Sequence, residues 1–457
     1  MDNTKATNLV MSYIEKHSDN FIDLLIRLCR QPSISTQGVG MKEMLELLEL
    51  EGKDIGLSTK ILQSSTTPAF YGEVKGESEK NLLFYNHYDV QPPEPFEEWI
   101  SPPFEPTIRD GRLYARGAND NKGNIAARFA AIKAILEIKG TLPTTVKFLV
   151  EGEEEVGSPS LKEIVENHKN LLKTDWVIWE DTLREIDKPL ISLGSKGLCF
   201  IELKCKTANT DFHSGFAGVY PNAAWRLLSA LATMKNEQGE ILIDGFYDDV
   251  RELSNKEKEF LTKQPFVDLE KLKEEYGINN FIHNVDGDEF RSQYVVNPTC
   301  NLSSLKSGYL GEGAKTVIPS EATAKIDMRL VPNQTVQSIY KKVCEHLKRR
   351  GFDDIEVVLK HGDGSKPSIS KIDIDFLNIL TDSIEYNFKS TPVIEPLSSG
   401  GTPMWIAAEV LNKPVLGYGL GHPSHRTHAP NENVKIDDYI NMIKTMAKFL
   451  LDLEKIS

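Results

Sequence analysis

The stretch LLFYNHYDVQP, residues 82–92, joins a short apolar run to two polar side chains of the kind that bind metals or carry protons. The run predicts a β-strand over Leu82–Asp89, with His87 and Asp89 at its end. Three later apolar runs also lead into histidine or carboxylate residues; they are Thr145–Val150, Trp176–Trp179 and Pro414–Tyr418. Because ligands of open α/β sheets bind beyond the carboxyl ends of the strands, we expect these side chains to gather at one sheet edge.

Helical patterns lie between these strands. Two amphipathic helices are predicted in about the first 60 residues, where apolar residues recur at helical spacing around Leu24 and Leu45. The segment Asn124–Ile138 is rich in alanine and free of proline, which favours a further helix. Strands that alternate with helices predict an α/β fold, with a mixed sheet covered by helices on both faces.

The middle of the chain has a different pattern. Three alternating segments predict half-buried strands, and two amphipathic segments predict long helices. The strands are Gly197–Thr207, Ala322–Arg329 and Asp354–Leu359, and the helices are Ala223–Lys235 and Val336–Arg350. This pattern predicts an α+β domain, residues 197–368, inserted into a catalytic domain formed by residues 1–196 and 369–457.

The composition argues against several classes of function. The 457 residues carry 53 Lys+Arg and 67 Asp+Glu, and the net charge of −14 repels nucleic acid and anionic membranes. No apolar run approaches the ~18 residues of a membrane-spanning helix, and the first residues lack a secretory pattern. The five cysteines are scattered, so we expect neither disulfides nor a cysteine metal site. The sequence therefore predicts a soluble, cytoplasmic protein that binds neither nucleic acid nor membranes.

The polar groups expected at the sheet edge are imidazoles and carboxylates. Each has a simpler interpretation: Glu153–Glu155 as a solvated loop, Asp120 as a helix cap and His87 as a core histidine. Crowded carboxylates, however, repel one another unless they are protonated or bind cations. Imidazole and carboxylate ligands without thiolates suit Zn, Mn or Co. The groups that a two-metal hydrolase needs are supplied by His87, Asp120, Glu154, Glu155, Asp181 and His428.

Four motifs resemble those of a family of di-zinc metallopeptidases. This family includes carnosine and cytosolic non-specific dipeptidases, glutamate carboxypeptidase, acetylornithine deacetylase and succinyl-diaminopimelate desuccinylase. In chain order the motifs are NHYDVQP (86–92), WISPPFEPTIRDGRLYARGANDNKG (99–123), EGEEEVGS (151–158) and HAPNE (428–432). The resemblance covers nearly the whole chain and leans toward the dipeptidase branch. It implies that the inserted domain serves as a lid and dimerisation domain, so we expect a homodimer.

The resemblance also implies roles for the motif residues. The implied ligands of two divalent ions, expected to be Zn with Mn or Co as alternatives, are His87, Asp120, Glu155, Asp181 and His428. Asp120 is the implied bridging carboxylate, and Glu154 is the implied general base. Asp89 is the implied partner that orients the ring of His87. Glu180 remains an alternative to its neighbour Asp181.

The resemblance extends into the inserted domain. TDFHSG (210–215) is similar to the family's lid motif, whose histidine, here His213, reaches the active site of the partner subunit and stabilises the oxyanion. Arg329 resembles the arginine that binds the substrate carboxylate. Without the resemblance, His213 could be a surface histidine and Arg329 part of an edge-strand ion pair. Further substrate contacts are implied for Thr316, Gly401 and Thr402.

These observations predict a metal-dependent enzyme that hydrolyses the peptide bond of dipeptides or short peptides. Two metal ions would activate a water molecule, and Glu154 would act as the general base. The alternative is an N-acyl-amino-acid deacylase with the same site, because the amide chemistry is identical. An inactive relative that serves as a binding module would have lost a ligand or the base, whereas each matched position here retains a competent residue.

Overall fold

The computed structural model describes residues 3–180 and 187–456, apart from the side chains of residues 284 and 361–364. The α-helices within these residues are α1 Asn3–Lys16, α2 Ser18–Arg30, α3 Met41–Asp54, α4 Lys122–Lys139, α5 Leu161–Asn167, α6 Ala223–Met234, α7 Asn255–Thr262, α8 Leu269–Tyr276, α9 Phe290–Val296, α10 Val336–Arg349, α11 Ile374–Phe388 and α12 Ile436–Asp452.

The β-strands of the same residues are β1 Ser58–Leu62, β2 Ala69–Val74, β3 Asn81–His87, β4 Thr107–Arg109, β5 Arg112–Tyr114, β6 Thr145–Glu151, β7 Trp176–Trp179, β8 Leu190–Ser192, β9 Gly194–Ser195, β10 Gly197–Lys206, β11 Phe212–His213, β12 Asn301–Ser307, β13 Val317–Ile318, β14 Glu321–Leu330, β15 Ile355–Ser365, β16 Ser368–Ile369, β17 Val393–Glu395, β18 Val415–Gly417 and β19 Asn433–Lys435.

The chain divides into two compact units. The first consists of Met1–Gly194, Ile369–Ser398 and Pro403–Ser457, and the second of Ser195–Ser368 and Ser399–Thr402. The sequence pattern does not predict that Ser399–Thr402 belongs to the second unit. This short segment is a loop inside a region that otherwise belongs to the first unit.

The first unit is built on an eight-stranded mixed sheet with the order β1-β2-β6-β3-β7-β18-β8-β17. Strands β3, β6, β7 and β18 are parallel to one another, so their carboxyl ends lie at one edge. These are the four strands predicted from the apolar runs, and they occupy adjacent central positions. Central strands of a parallel sheet are buried on both faces, which explains why they appear in the sequence as continuous apolar runs.

Helices cover both faces of this sheet. On one face, Phe129 of α4 packs edge to face against Phe148 of β6, with ring centroids 5.0 Å apart, and α1, α2 and α12 cover α4 in turn. On the other face, Leu161 and Ile164 of α5 share a core cluster with Leu149 of β6. The predicted α/β fold, a mixed sheet between layers of helices, is confirmed.

Residues 3–60 contain three α-helices, whereas the sequence pattern predicted two helices in about the first 60 residues. The additional helix is α1, which buries Ala6, Val10, Met11 and Ile14. None of these buried residues is a leucine, so α1 lacks the leucine repeat of α2 and α3. α1 is separated from α2 only by His17, whose φ of −111° is not helical.

The second unit contains a four-stranded antiparallel sheet with the order β12-β14-β10-β15. Alternate residues of β10, among them Cys199, Ile201 and Leu203, are buried in a core cluster that includes residues of α6 and α10. The predicted α+β composition of this region is thus present. Strand β12 lies at the sheet edge, and six of its seven residues are exposed.

Candidate active site

His87, Asp120 and His428 form a chain of contacts at the carboxyl edge of the large sheet. His87 ends β3, Asp120 directly precedes the α4 region, and His428 lies in the loop after β18. The two oxygens of Asp120 contact different histidines: Oδ1 lies 2.9 Å from His87 Nε2, and Oδ2 lies 3.0 Å from His428 Nε2. A carboxylate between two imidazoles is the arrangement expected for a residue that bridges two cations.

Glu155 lies on the His428 side of this chain. Its Oε2 is 3.1 Å from His428 Nε2 and accepts a 2.9 Å hydrogen bond from Gln91 Nε2. The Glu155 side chain is 2% exposed, so its charge has little contact with water. Donor atoms of His87, Asp120 and Glu155 all lie within 4.8 Å of one another, close enough to hold a metal ion.

Glu180 lies on the His87 side. Its Oε2 is 3.5 Å from His87 Nε2, and the residue is buried at the end of β7. The predicted ligand Asp181 lies outside the described residues. Glu180, the alternative at this position, therefore has geometry that suits a ligand, because its carboxylate lies beside the same imidazole nitrogen that contacts Asp120.

Asp89 connects the predicted base to the sheet edge. Its carboxylate accepts hydrogen bonds from the backbone N–H groups of Glu154 (3.2 Å) and Glu155 (3.1 Å). Its Oδ1 also lies 3.4 Å from His87 Nδ1, and its backbone oxygen lies 3.0 Å from the same nitrogen. Asp89 thus contacts the His87 ring and also holds the short 3₁₀ turn that begins at Glu154.

The site is electrostatically crowded. Burial raises the pKa of Glu154 well above its usual value, and the nearby charges of Glu155 and Asp120 raise it further. Burial also raises the pKa of Asp120, but hydrogen bonds from His428 and His87 outweigh this effect and hold that pKa far below its usual value. Burial lowers the pKa of His428, whereas contacts with Asp120 and Glu155 dominate and raise it to about 11. Such a cluster favours bound positive charge, and its imidazole and carboxylate atoms suit divalent transition metals.

A buried carboxylate, Glu432, holds the loop that carries Asp120. It accepts hydrogen bonds from the backbone N–H groups of Gly117 (3.0 Å), Asn119 (2.9 Å) and Asp120 (3.0 Å), and from Arg116 Nη1 (2.8 Å). Glu432 ends the HAPNE motif, and the motif alone predicts no role for it. The sequence feature that could have revealed it is a charged residue, Glu432, directly before a buried strand, β19.

Arg128 is a second residue that sequence reasoning missed. This fully buried guanidinium of α4 donates to the carbonyl oxygens of Tyr85 (2.7 Å), Trp179 (2.9 Å) and Tyr418 (3.0 Å), at the ends of β3, β7 and β18. These hydrogen bonds connect the three strand ends that lead to His87, Glu180 and the His428 loop. The available signal was one arginine within an alanine-rich helix.

His213 and Thr316 lie side by side in the second unit. His213 of β11 pairs with Val317 of β13, and Ser214 N donates to the carbonyl oxygen of Thr316 at 3.1 Å. The His213 side chain is exposed, and its Nδ1 accepts a 3.0 Å hydrogen bond from Gly215 N. Because Nδ1 is an acceptor, the proton of a neutral ring resides on Nε2, which can then act as a donor.

Arg329 and the 399–402 segment form another cluster in the second unit. A Cβ atom on Gly401 would lie 3.0 Å from Lys196 O and 3.2 Å from Arg329 Nη1, so this close approach needs a residue without a side chain. Within the described residues, the Arg329 guanidinium makes no hydrogen bond or ion pair, and the buried Thr402 Oγ1 has no partner. The buried Lys196 Nζ donates to the carbonyl oxygens of Tyr294 and Asn297.

The fold and the side-chain cluster define a metallohydrolase. Residues 83–452 match Peptidase family M20/M25/M40, and the chain belongs to this family. The family resemblance inferred from the motifs is therefore confirmed, and the protein is a hydrolase of amide bonds. None of the helices within residues 3–180 and 187–456 is long and apolar enough to cross a membrane.

Relatives with stated activities match the chain from end to end. A Beta-Ala-His dipeptidase of Rattus norvegicus is 28% identical over 98% of this chain and 95% of the relative. The Cys-Gly metallodipeptidase dug1 of Schizosaccharomyces pombe is 28% identical over 97% of this chain and 98% of the relative. Among solved structures, the M20 family metallo-carboxypeptidase Sso-CP2 of Sulfolobus solfataricus has a TM-score of 0.87 and 36% identity, covering 96% of this chain and 99% of that chain. Human carnosine dipeptidase 1 has a TM-score of 0.81 and 27% identity, covering 98% of this chain and 99% of that chain.

Proposed function

We propose that this protein hydrolyses the peptide bond of dipeptides or short peptides with two divalent metal ions, Zn in the first place and Mn or Co as alternatives. The observation that carries the proposal is the position of Asp120 between His87 and His428, with Glu155 within 3.1 Å of His428. The relatives from Rattus norvegicus and Schizosaccharomyces pombe are dipeptidases, which favours dipeptides as substrates over the acylated amino acids of the deacylase alternative.

The chain's own residues divide the chemistry among them. When bound, the two cations would lower the pKa of a water molecule and polarise the scissile carbonyl. His87, Asp120, Glu155 and His428 would hold them, together with Glu180 or Asp181. Glu154 would accept the proton of the attacking water and then deliver it to the leaving amine. Asp89 keeps Glu154 in position through the backbone of the 3₁₀ turn.

Arg329 is proposed to bind the terminal carboxylate of the substrate, with Thr316, Gly401 and Thr402 as further contacts. Its guanidinium has no acidic partner within the described residues, and an arginine of this kind suits a bidentate anion. The buried Thr402 Oγ1 offers an additional polar atom to a ligand. A free terminal carboxylate is common to dipeptides and to carboxypeptidase substrates, so this site fits both kinds of relative.

Replacing Arg329 by Gln is expected to raise KM for a dipeptide by about 10- to 100-fold, the size of a lost charge-assisted hydrogen bond. The same variant should cleave the corresponding dipeptide amide as well as the wild type does, because the amide lacks the carboxylate. Lys325→Gln, which removes an exposed charge from the same strand, serves as the matched control. An equal loss on both substrates would exclude a carboxylate-specific role for Arg329.

We also propose a homodimer formed through the second unit. Its edge strand β12 exposes Leu302 and Leu305, and helix α6, which packs on the same sheet, exposes 70% of Trp225. An exposed edge strand with apolar side chains is a template for pairing with another chain, and a second copy supplies an identical edge. His213 is proposed to act in the partner's active site, where its Nε2–H would donate to the oxyanion. All five cysteines are free, which fits a cytoplasmic enzyme.

The first test is hydrolysis by metal-stripped protein to which Zn, Mn or Co is added back separately. β-Ala-His and Cys-Gly should be compared with N-acetyl and N-succinyl amino acids. We expect metal-restored cleavage of the unblocked dipeptides. An Asp120→Asn variant purified in parallel should be inactive, which excludes a contaminating peptidase. Cleavage of the acylated amino acids alone would replace the peptidase proposal by the deacylase alternative.

A further inference from the structure

The carboxylate of Glu432 is fully buried and saturated with hydrogen bonds. It is 0% exposed, and each of its oxygens accepts two N–H groups: Oε1 from Asn119 and Asp120, and Oε2 from Gly117 and Arg116. A buried carboxylate of this kind is stable only when its charge is compensated. The compensation comes from the Arg116 guanidinium, which is itself 1% exposed.

All four donors belong to one loop, residues 116–120. The loop ends at Asp120, the residue that contacts both His87 and His428. Successive backbone N–H groups that converge on one anion form a rigid concave arrangement. Glu432 therefore fixes the backbone of Asp120, and with it the position from which the Asp120 side chain reaches His87 and His428. The bond to Asp120 N is 3.0 Å long, so the anchoring is direct.

Glu432 also belongs to the loop that carries His428. The two residues are four positions apart, and His428 has a φ of +64°, a left-handed conformation that a non-glycine residue keeps only when its surroundings hold it. A second contact joins the same two loops: Asn119 Nδ2 donates to Thr427 Oγ1 at 3.1 Å. Two sets of hydrogen bonds, those of Glu432 and that of Asn119 with Thr427, therefore connect the Asp120 loop to the His428 loop close to the contact between Asp120 and His428.

We propose that Glu432 is a positioning residue that sets Asp120 against His428, and that it thereby controls how tightly a divalent cation binds on the side of the site formed by His428 and Glu155. Arg116 donates to Glu432 and to the carbonyl oxygen of Pro92, and it acts by compensating the charge of Glu432. This inference rests on the proposed function, in which two divalent cations bind to the cluster.

The test is the affinity of Glu432→Gln for Zn and Mn, measured by chelator competition without any substrate. Gln keeps the shape but loses the negative charge and turns one acceptor into a donor, facing N–H groups already present. For each metal, we expect at least one of the two bound ions to bind about 10- to 100-fold more weakly than in the wild type. Glu51→Gln is the control, because Glu51 is a buried glutamate of the same unit that accepts two hydrogen bonds from Arg27, at a helix contact away from the site.

Comparison of the two variants distinguishes a positioning role of Glu432 from a general contribution to the stability of the fold. Both variants remove the charge of a buried glutamate that is paired with an arginine, so both should unfold at a lower temperature, but only Glu432→Gln should change metal binding. Wild-type affinity for both ions in folded Glu432→Gln, or an equal loss in Glu51→Gln, would overturn the inference. If Glu432→Gln does not fold, Glu432→Asp decides: it keeps the charge and shortens the reach, and unchanged binding of both ions would again overturn the inference. A wild-type protein that binds no divalent ion would instead contradict the proposed function itself, before any variant is made.

Discussion

Replacing Glu154 by Gln is expected to lower kcat by about 10²- to 10⁴-fold, the usual contribution of a general base, while the metal content stays unchanged. Gln has the same shape as Glu but cannot accept the proton of the attacking water. The turn that carries the residue should not move, because its backbone N–H groups at 154 and 155 remain bonded to Asp89. The measurements are kcat on a dipeptide and the metal content of the purified variant.

Glu153→Gln is the control for this prediction. Glu153 belongs to the same acidic run, but its carboxylate accepts hydrogen bonds from Thr66 and Ser160 and thus has a structural role. We expect Glu153→Gln to keep most of the activity. Wild-type turnover in Glu154→Gln would remove that residue from the mechanism. A comparable loss in both variants would show that the acidic loop as a whole, rather than one base, sustains turnover.

Replacing His213 by Asn is expected to lower kcat by about 10²- to 10³-fold, as for the removal of one oxyanion donor, without a change in metal content. His213 is exposed in the second unit, so its loss should leave the unfolding temperature unchanged. His283→Asn is the matched control: His283 is exposed in the same unit, and its φ of +65° suits asparagine.

Mixing two inactive variants tests whether His213 acts across the dimer. A dimer of one His213→Asn chain and one Glu154→Gln chain contains one site with both an intact Glu154 and the partner's intact histidine. Random reassociation makes half of the dimers mixed, so roughly a quarter of all sites should become active. If His213 served its own chain, each mixed dimer would contain two defective sites. Mixtures that stay as inactive as their parents would therefore exclude the intersubunit role.

Much of the fold could be predicted from the sequence, because the buried strands have a simple signature. Leu82–Asp89 and Trp176–Trp179 are short apolar runs, and both became central strands with only small changes at their ends. Even β18, three residues long, was recognisable as an apolar run between turns. Helix α1 was missed because its buried residues, among them Val10, Met11 and Ile14, include no leucine, whereas the prediction relied on leucine repeats such as those of α2 and α3.

The candidate site was predictable where its residues lie at strand ends. His87, Glu154 and Glu155 follow apolar runs, and the edge rule for α/β sheets then brings them together. The partners that hold them were not predictable. Arg116 and Glu432 are separated by 316 positions, and a pairing over such a distance leaves no local pattern. Glu180 and Asp181 are adjacent in the sequence, so only the register at the end of β7 can decide which of them is the metal ligand.

The place of β18 in the large sheet has a consequence for how the protein is made. This strand, Val415–Gly417, lies between β7 and β8, yet it leaves the ribosome long after both of them. Until then β7 has an unpaired edge, and such an edge invites pairing with other nascent chains. A chain stalled before residue 415 should therefore be bound by chaperones that shield exposed strands, and it would carry His87 and Asp120 without the loop that holds His428 and Glu432.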